Sequence, residues 1–187
     1  KTANPTSVAA GGNVTYTLAY QAPGGGVPFV DDFADATWAG KWKSHGSYNT
    51  YWVEGGGAIT CTTWGPDAFY ALGTDGVNGT ASMDLHQTMM GGSHGLVFGY
   101  QGGKYYYVSI STGYGNASDD TVGLYYYNGA SAVTIAQLTN QTFETATSVA
   151  ALPAWAPFKV VRGGNQFFVY YNGNRIAAFT DPNNYLP

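Results

Sequence analysis

The chain has 187 residues, a formal net charge of −4, and only 10% Asp, Glu, Lys and Arg, where about 25% is usual. Aromatics and glycine fill the space, with 16 Tyr, 9 Phe, 5 Trp and 27 Gly, which starves long amphipathic helices of polar residues and favours β structure. Seven basic residues scattered from Lys1 to Arg175 form no cluster for nucleic acid, and no apolar run reaches the roughly eighteen residues of a membrane span.

Taken in chain order, Asn13–Tyr20 alternates at period two and predicts a strand. Gln21 to Pro28 (QAPGGGVP) sets three glycines between two prolines, reads as a linker, and marks the main domain boundary. Twelve short strands are expected after it: Phe29–Phe33, Tyr51–Glu54, Ala58–Thr62, Ala68–Leu72, Thr80–Gln87, His94–Gln101, Lys104–Ser111, Thr121–Tyr127, Ala132–Leu138, Phe158–Arg162, Gln166–Tyr171 and Asn174–Phe179. Strands at this spacing predict an all-β fold, an antiparallel β-sandwich of two packed sheets. Gly102-Gly103, Gly163-Gly164-Asn165 and Asn172-Gly173 are the clearest hairpin turns. The lone Cys61 sits in an alternating strand, which makes it a small buried residue and excludes an internal disulfide or a multi-cysteine metal site. With Lys1 first, the sequence is expected to be a mature fragment or excised module, and its composition suits a secreted or cell-surface protein.

Four motifs in order resemble the concanavalin A-like lectin/glucanase superfamily, in its laminin-G-like and carbohydrate-binding branches. They are Phe29-Val30-Asp31-Asp32-Phe33 with Trp38 and Trp42; Tyr51 to Ile59; Gly95–Gln101 with Lys104–Val108; and Phe158–Arg162 with Val169–Arg175, ending at Thr180-Asp181. The resemblance spans 29–181 and implies a jelly roll whose curved sheet holds saccharides. Residues 1–20 resemble the opening strands of a bacterial surface-protein repeat, 21–28 form the linker, and 182–187 are left as a tail. The resemblance also implies Ca²⁺ at the sandwich ends, for which Asp31, Asp32 and Asp181 are the expected ligands; Asp119-Asp120 is the alternative pair, read first as a solvated turn.

The superfamily includes glycoside hydrolases, so catalysis needs a test. Retaining hydrolysis requires two carboxyl groups about 5–5.5 Å apart. The strand resembling the hydrolase Glu-x-Asp-x-x-Glu segment is Ser82-Met83-Asp84-Leu85-His86-Gln87, with one carboxylate, and Glu54 and Glu144 lie in unrelated motifs. His45, His86 and His94 fit no signature spacing. A non-catalytic module is expected.

Strand parity then selects binding residues. Tyr106, Val108 and Ile110 make the better core face, leaving Tyr105 and Tyr107 outward; Val122, Leu124 and Tyr126 face in, leaving Tyr125 and Tyr127 outward; Met83 and Leu85 face in, leaving Asp84 and His86 outward. The outward set is expected to form a tyrosine-lined groove for a polysaccharide or glycan, with Asp84 and His86 bonding its hydroxyls and Trp64 on a nearby loop. Trp38, Trp42, Trp52 and Trp155 are expected to pack. The expected function is a lectin-like module tethered to other domains of a larger protein; a structural or adhesive surface domain and an atypical glycosidase are the competing readings.

Overall fold

The structure is a computed structural model that describes residues 31–35, 37–38, 42–45, 52–55, 57–61, 68–71, 79–85, 91, 93–113, 119–146 and 148–186. The surface-repeat segment 1–20, the linker 21–28, Trp64 and His86 lie outside these residues. Among the described residues the elements include twelve strands and a 3₁₀ turn at Val149–Ala151. The strands are β1 (Trp42–His45), β2 (Trp52–Gly55), β3 (Ala58–Cys61), β4 (Ala68–Ala71), β5 (Gly79–Leu85), β6 (Ser93–Gln101), β7 (Lys104–Ser111), β8 (Asp120–Tyr127), β9 (Ala132–Gln141), β10 (Ala156–Gly163), β11 (Gln166–Tyr171) and β12 (Asn174–Thr180).

Alternation along these strands builds two antiparallel four-stranded sheets, in the orders β6-β7-β8-β9 and β12-β11-β10-β5. Smaller pairs form between β2 and β3 and between β1 and β4. In β7 every second side chain (Tyr106, Val108, Ile110) is fully buried, and β8 answers with Val122 and Leu124. From the other sheet come Phe158 and Val160 of β10 and Phe167 and Val169 of β11, all fully buried. They meet in one hydrophobic core joined by Leu85, Phe98 and Phe179. Removing each such large side chain from water stabilises the fold by about 1.5–3 kcal/mol, so this interlayer holds the sandwich closed.

The hairpins follow their turn residues. Asn172 and Gly173 both take positive φ (47° and 80°), as a two-residue type I′ connection between β11 and β12 requires. A bulge between Val169 and Tyr170 shifts the β11–β12 register, and another between Leu124 and Tyr125 shifts β8 against β9.

Several expectations need correction. Residues 31–33 of the expected entry strand are not a strand: the Asp31 carboxylate accepts the Phe33 N–H at 3.1 Å in a local turn and Phe33 takes a positive φ of 52°. Trp42–His45, not among the expected strands, pairs with β4. Trp155, expected to pack, is 51% exposed, because it precedes the first buried residue of β10, Ala156.

Residues 182–186, read from the sequence as a tail, are built into the sandwich. Asp181 is fully buried; its carboxylate accepts the Tyr106 hydroxyl and the backbone N–H groups of Asn183 (2.9 Å) and Tyr185 (3.0 Å). The Tyr106 oxygen in turn accepts the Leu186 N–H at 3.1 Å. The buried Arg162 guanidinium donates to the Leu186 carbonyl and, through Nε, to the Gly164 carbonyl at 2.9 Å. It lies 4.6 Å from the Tyr106 ring centroid, and burial lowers its pKa from the usual value. Tyr185 stacks on Tyr126 at 4.4 Å, the planes 3° apart. A buried polar cluster of this kind is tolerated because its groups find partners.

Asp120, expected in a solvated turn, is also buried. Its carboxylate accepts the backbone N–H of Gly113 (3.0 Å), Phe143 (2.9 Å) and Glu144 (2.7 Å), drawing the segments beyond β7 and β9 onto the start of β8.

Candidate functional site

Because the two sheets share one core, each has a face turned away from it, and parity decides what each face carries. On β7 and β8 the outward positions opposite one another are Tyr105 and Tyr127, Tyr107 and Tyr125, Ser109 and Gly123, and Ser111 and Thr121. Tyr107 and Tyr125 stack with centroids 4.8 Å apart and planes at 13°. Tyr105 stacks on Tyr127 at 5.1 Å and on Tyr100 at 5.8 Å, and touches Tyr107 at 6.2 Å in a tilted arrangement. The four expected tyrosines therefore form one array with Tyr100 added. Tyr105 is only 5% exposed although it lies outside the core cluster; rings pack on it from several sides.

The array adjoins a row with almost no side chains. Across the sheet, Gly95, Ser109, Gly123 and the exposed Gln137 are cross-strand neighbours, flanked by the row Val97, Tyr107, Tyr125, Thr134 on one side and by Ser93, Ser111, Thr121 on the other. A Cβ on Gly123 would collide with the Tyr125 ring, and one on Gly95 would come within 2.9 Å of the Val108 carbonyl oxygen. The Tyr125 ring thus covers the buried Gly123, so the open part of the floor is the strip at Gly95 and Ser109, between the aromatic wall and a hydroxyl-bearing border. Burial raises the pKa of both Tyr107 and Tyr125, and the neighbouring Tyr125 adds to the effect on Tyr107. Both phenols thus stay neutral donors and acceptors through the physiological range. Aromatic C–H stacking beside neutral hydroxyls and an amide is the chemistry that a sugar ring engages.

Asp84 is exposed and outward-facing, as parity predicts, but β5 pairs with β10 in the other sheet, where Asp84 lies opposite Pro157. It is therefore on the far side of the sandwich from the tyrosines and does not share a groove with them.

No protein-family model matches the chain, and no curated protein sequence matches it. A solved carbohydrate-binding module, CBM66 from Bacillus subtilis, superposes with a TM-score of 0.56 at 16% identity, covering 82% of this chain and 84% of that one. The chain has the β-sandwich fold of a carbohydrate-binding module. At that identity the likeness speaks for architecture, and the binding residues have to be argued from this chain's own surface.

The three aspartates expected to hold calcium are otherwise engaged. Asp181 is turned into the core with three donors on its carboxylate. Asp31 accepts the Trp42 indole N–H at 2.7 Å and the Phe33 N–H, and Asp32 accepts the Ala34 N–H at 3.2 Å. Among the described residues, no group of three or more His, Cys, Asp or Glu is arranged to hold a metal. These residues do not fit an ion that needs six to eight oxygen ligands.

The glutamates also serve structure. Glu54 accepts the Trp38 N–H at 2.8 Å. Glu144 is buried and accepts the Tyr171 hydroxyl and the Ala146 N–H, each at 3.0 Å. His94 points inward opposite Ile110, and burial lowers its pKa. Sequence reasoning missed Tyr100, an aromatic just before the Gly102-Gly103 turn, placed to return against Tyr105.

Proposed function

We propose that this chain is a non-catalytic carbohydrate-binding domain of a larger secreted or cell-surface protein, in the concanavalin A-like manner, and that it binds glycan on the outward face of β6–β9. The observation that carries the reading is the Tyr100–Tyr105–Tyr127 and Tyr107–Tyr125 array beside the Gly95–Ser109–Gly123–Gln137 floor. An array of tyrosines beside a strip of small residues, Gly95 and Ser109, gives a sugar ring a stacking surface with hydroxyls at its border. The fold shared with a carbohydrate-binding module supports the same reading. The structural duties of Glu54 and Glu144 support a domain that holds saccharide without cleaving it.

A glycan array with the intact chain is the direct test, followed by titration of the best ligand into Tyr107→Ala and Tyr125→Ala. Retention by the parent and loss in both variants, with thermal melts still cooperative, is the expected result. Unchanged affinity in both would remove the tyrosine face from the reading; silence across the array with an intact fold would favour a structural domain.

A further inference from the structure

The opposite face of the sandwich carries charged side chains in its outward rows. On the β12-β11-β10-β5 sheet, Ser82, Lys159, Tyr170 and Arg175 are cross-strand neighbours in one outward row. The Lys159 ammonium lies 4.4 Å from the Tyr170 ring centroid, and Arg175 follows Tyr170 on the next strand. Two strand spacings separate the backbones bearing the cations, roughly 9–10 Å. Among the described residues neither cation takes part in an ion pair. Arg175 also lines an open groove of roughly 320 Å³ with Gln141, Thr142, Phe143, Asn174 and Ile176, where β12 meets the end of β9 along the sandwich edge. In the adjoining outward row stands Asp84, opposite Pro157, and beyond it the exposed Trp155 just before β10.

We infer that this second face binds an acidic polysaccharide, with Lys159 and Arg175 pairing carboxylates on nearby sugar units. The chain carries a net −4, so two unpaired cations in one row are a local exception that selects an anion. A guanidinium pairs a carboxylate through two parallel N–H bonds, and an ammonium adds a point charge. The hydroxyl and amides of Thr142, Gln141 and Asn174 beside Arg175 suit sugar hydroxyls rather than a run of carboxylates alone. Asp84 lies a row away and limits the anionic ligand to the Lys159–Arg175 end. That the ligand is a saccharide rests on the carbohydrate-binding reading; that it is acidic rests on Lys159 and Arg175.

Affinity electrophoresis of the intact chain in gels holding polygalacturonate, fully methyl-esterified polygalacturonate or poly-glutamate tests this. Polygalacturonate should retard the chain; the ester, which keeps the sugar skeleton and hides the charge, and poly-glutamate should not. Retardation should vanish in about 1 M salt, where the screening length falls to about 3 Å. Arg175→Gln with Lys159→Gln should weaken it roughly tenfold or more, Arg175→Lys should keep most of it, and Tyr107→Ala should leave it unchanged. No retardation, or equal retardation of the double variant, overturns the inference while leaving neutral-glycan binding on the tyrosine face intact. Equal retardation by poly-glutamate overturns the saccharide assignment. Binding of poly-glutamate together with a silent glycan array would instead defeat the carbohydrate reading as a whole.

Discussion

The Tyr125 ring rests on the bare Cα of Gly123, two residues earlier on the same strand and the same face. The glycine is what lets the ring settle against the sheet and stack on Tyr107. Gly123→Val should therefore lift Tyr125 out of its stack without deleting a single aromatic. The expected outcome is loss of glycan retention with a stability cost of about 1–3 kcal/mol, the usual range for forced overpacking. Parallel glycan titration and thermal melts check it; wild-type retention in this variant would mean that the Tyr107–Tyr125 stack is not what the ligand meets.

Tyr106 predicts an alkaline limit to stability. Burial, reinforced by the hydrogen bond to Asp181, pushes its pKa up to about 12, against an ordinary value near 10. The unfolded chain releases this proton first as pH rises, so the contribution is fully present below about pH 10 and is lost between about pH 10 and 12. Denaturant titrations across that window should show a fall that is smaller in Tyr106→Phe. At neutral pH the same variant should be less stable by about 1–3 kcal/mol, since Asp181 and the Leu186 N–H each lose a partner.

Asp120 should matter more than an acidic residue at a strand entrance suggests. Its carboxylate serves three backbone donors from two separate segments. Asp120→Ala leaves all three short of a partner, and a loss of roughly 3 kcal/mol or more is expected in urea unfolding. Asp120→Asn keeps acceptor capacity on one atom and should fall between the two.

Chelation should leave the melting temperature unchanged. The carboxylates of Asp31, Asp32 and Asp181 already accept protein N–H and O–H donors, so calcium would have to break those bonds to gain ligands. A melt that rises on adding calcium and falls with chelator would show that these side chains turn outward to an ion.

Much of this was legible in the sequence because strand parity is a strict rule. The run Tyr105-Tyr106-Tyr107-Val108-Ser109-Ile110 admits only two sortings, and the apolar one is the core. Parity places a side chain on a face but does not say which sheet its strand joins. That is why Asp84 was correctly turned outward yet assigned to the tyrosine groove; only the pairing of β5 with β10 separates them. The buried polar residues were hidden for another reason. Arg162 shares the parity of Phe158 and Val160, but its place inside depends on Leu186 and Gly164 arriving with carbonyls. Partners that meet through the fold, as with Asp181 and Tyr106, leave no local spacing to read.

The docked segment 181–186 also governs how this domain bears load. It is tied to Tyr106 on β7 and Arg162 on β10, each an interior strand of its own sheet. A pull applied at residue 186 therefore reaches the middle of both layers before it reaches the edge strand β12. Bonds loaded together across the sandwich resist as a group, whereas a force entering at an edge would unzip the ladder one rung at a time.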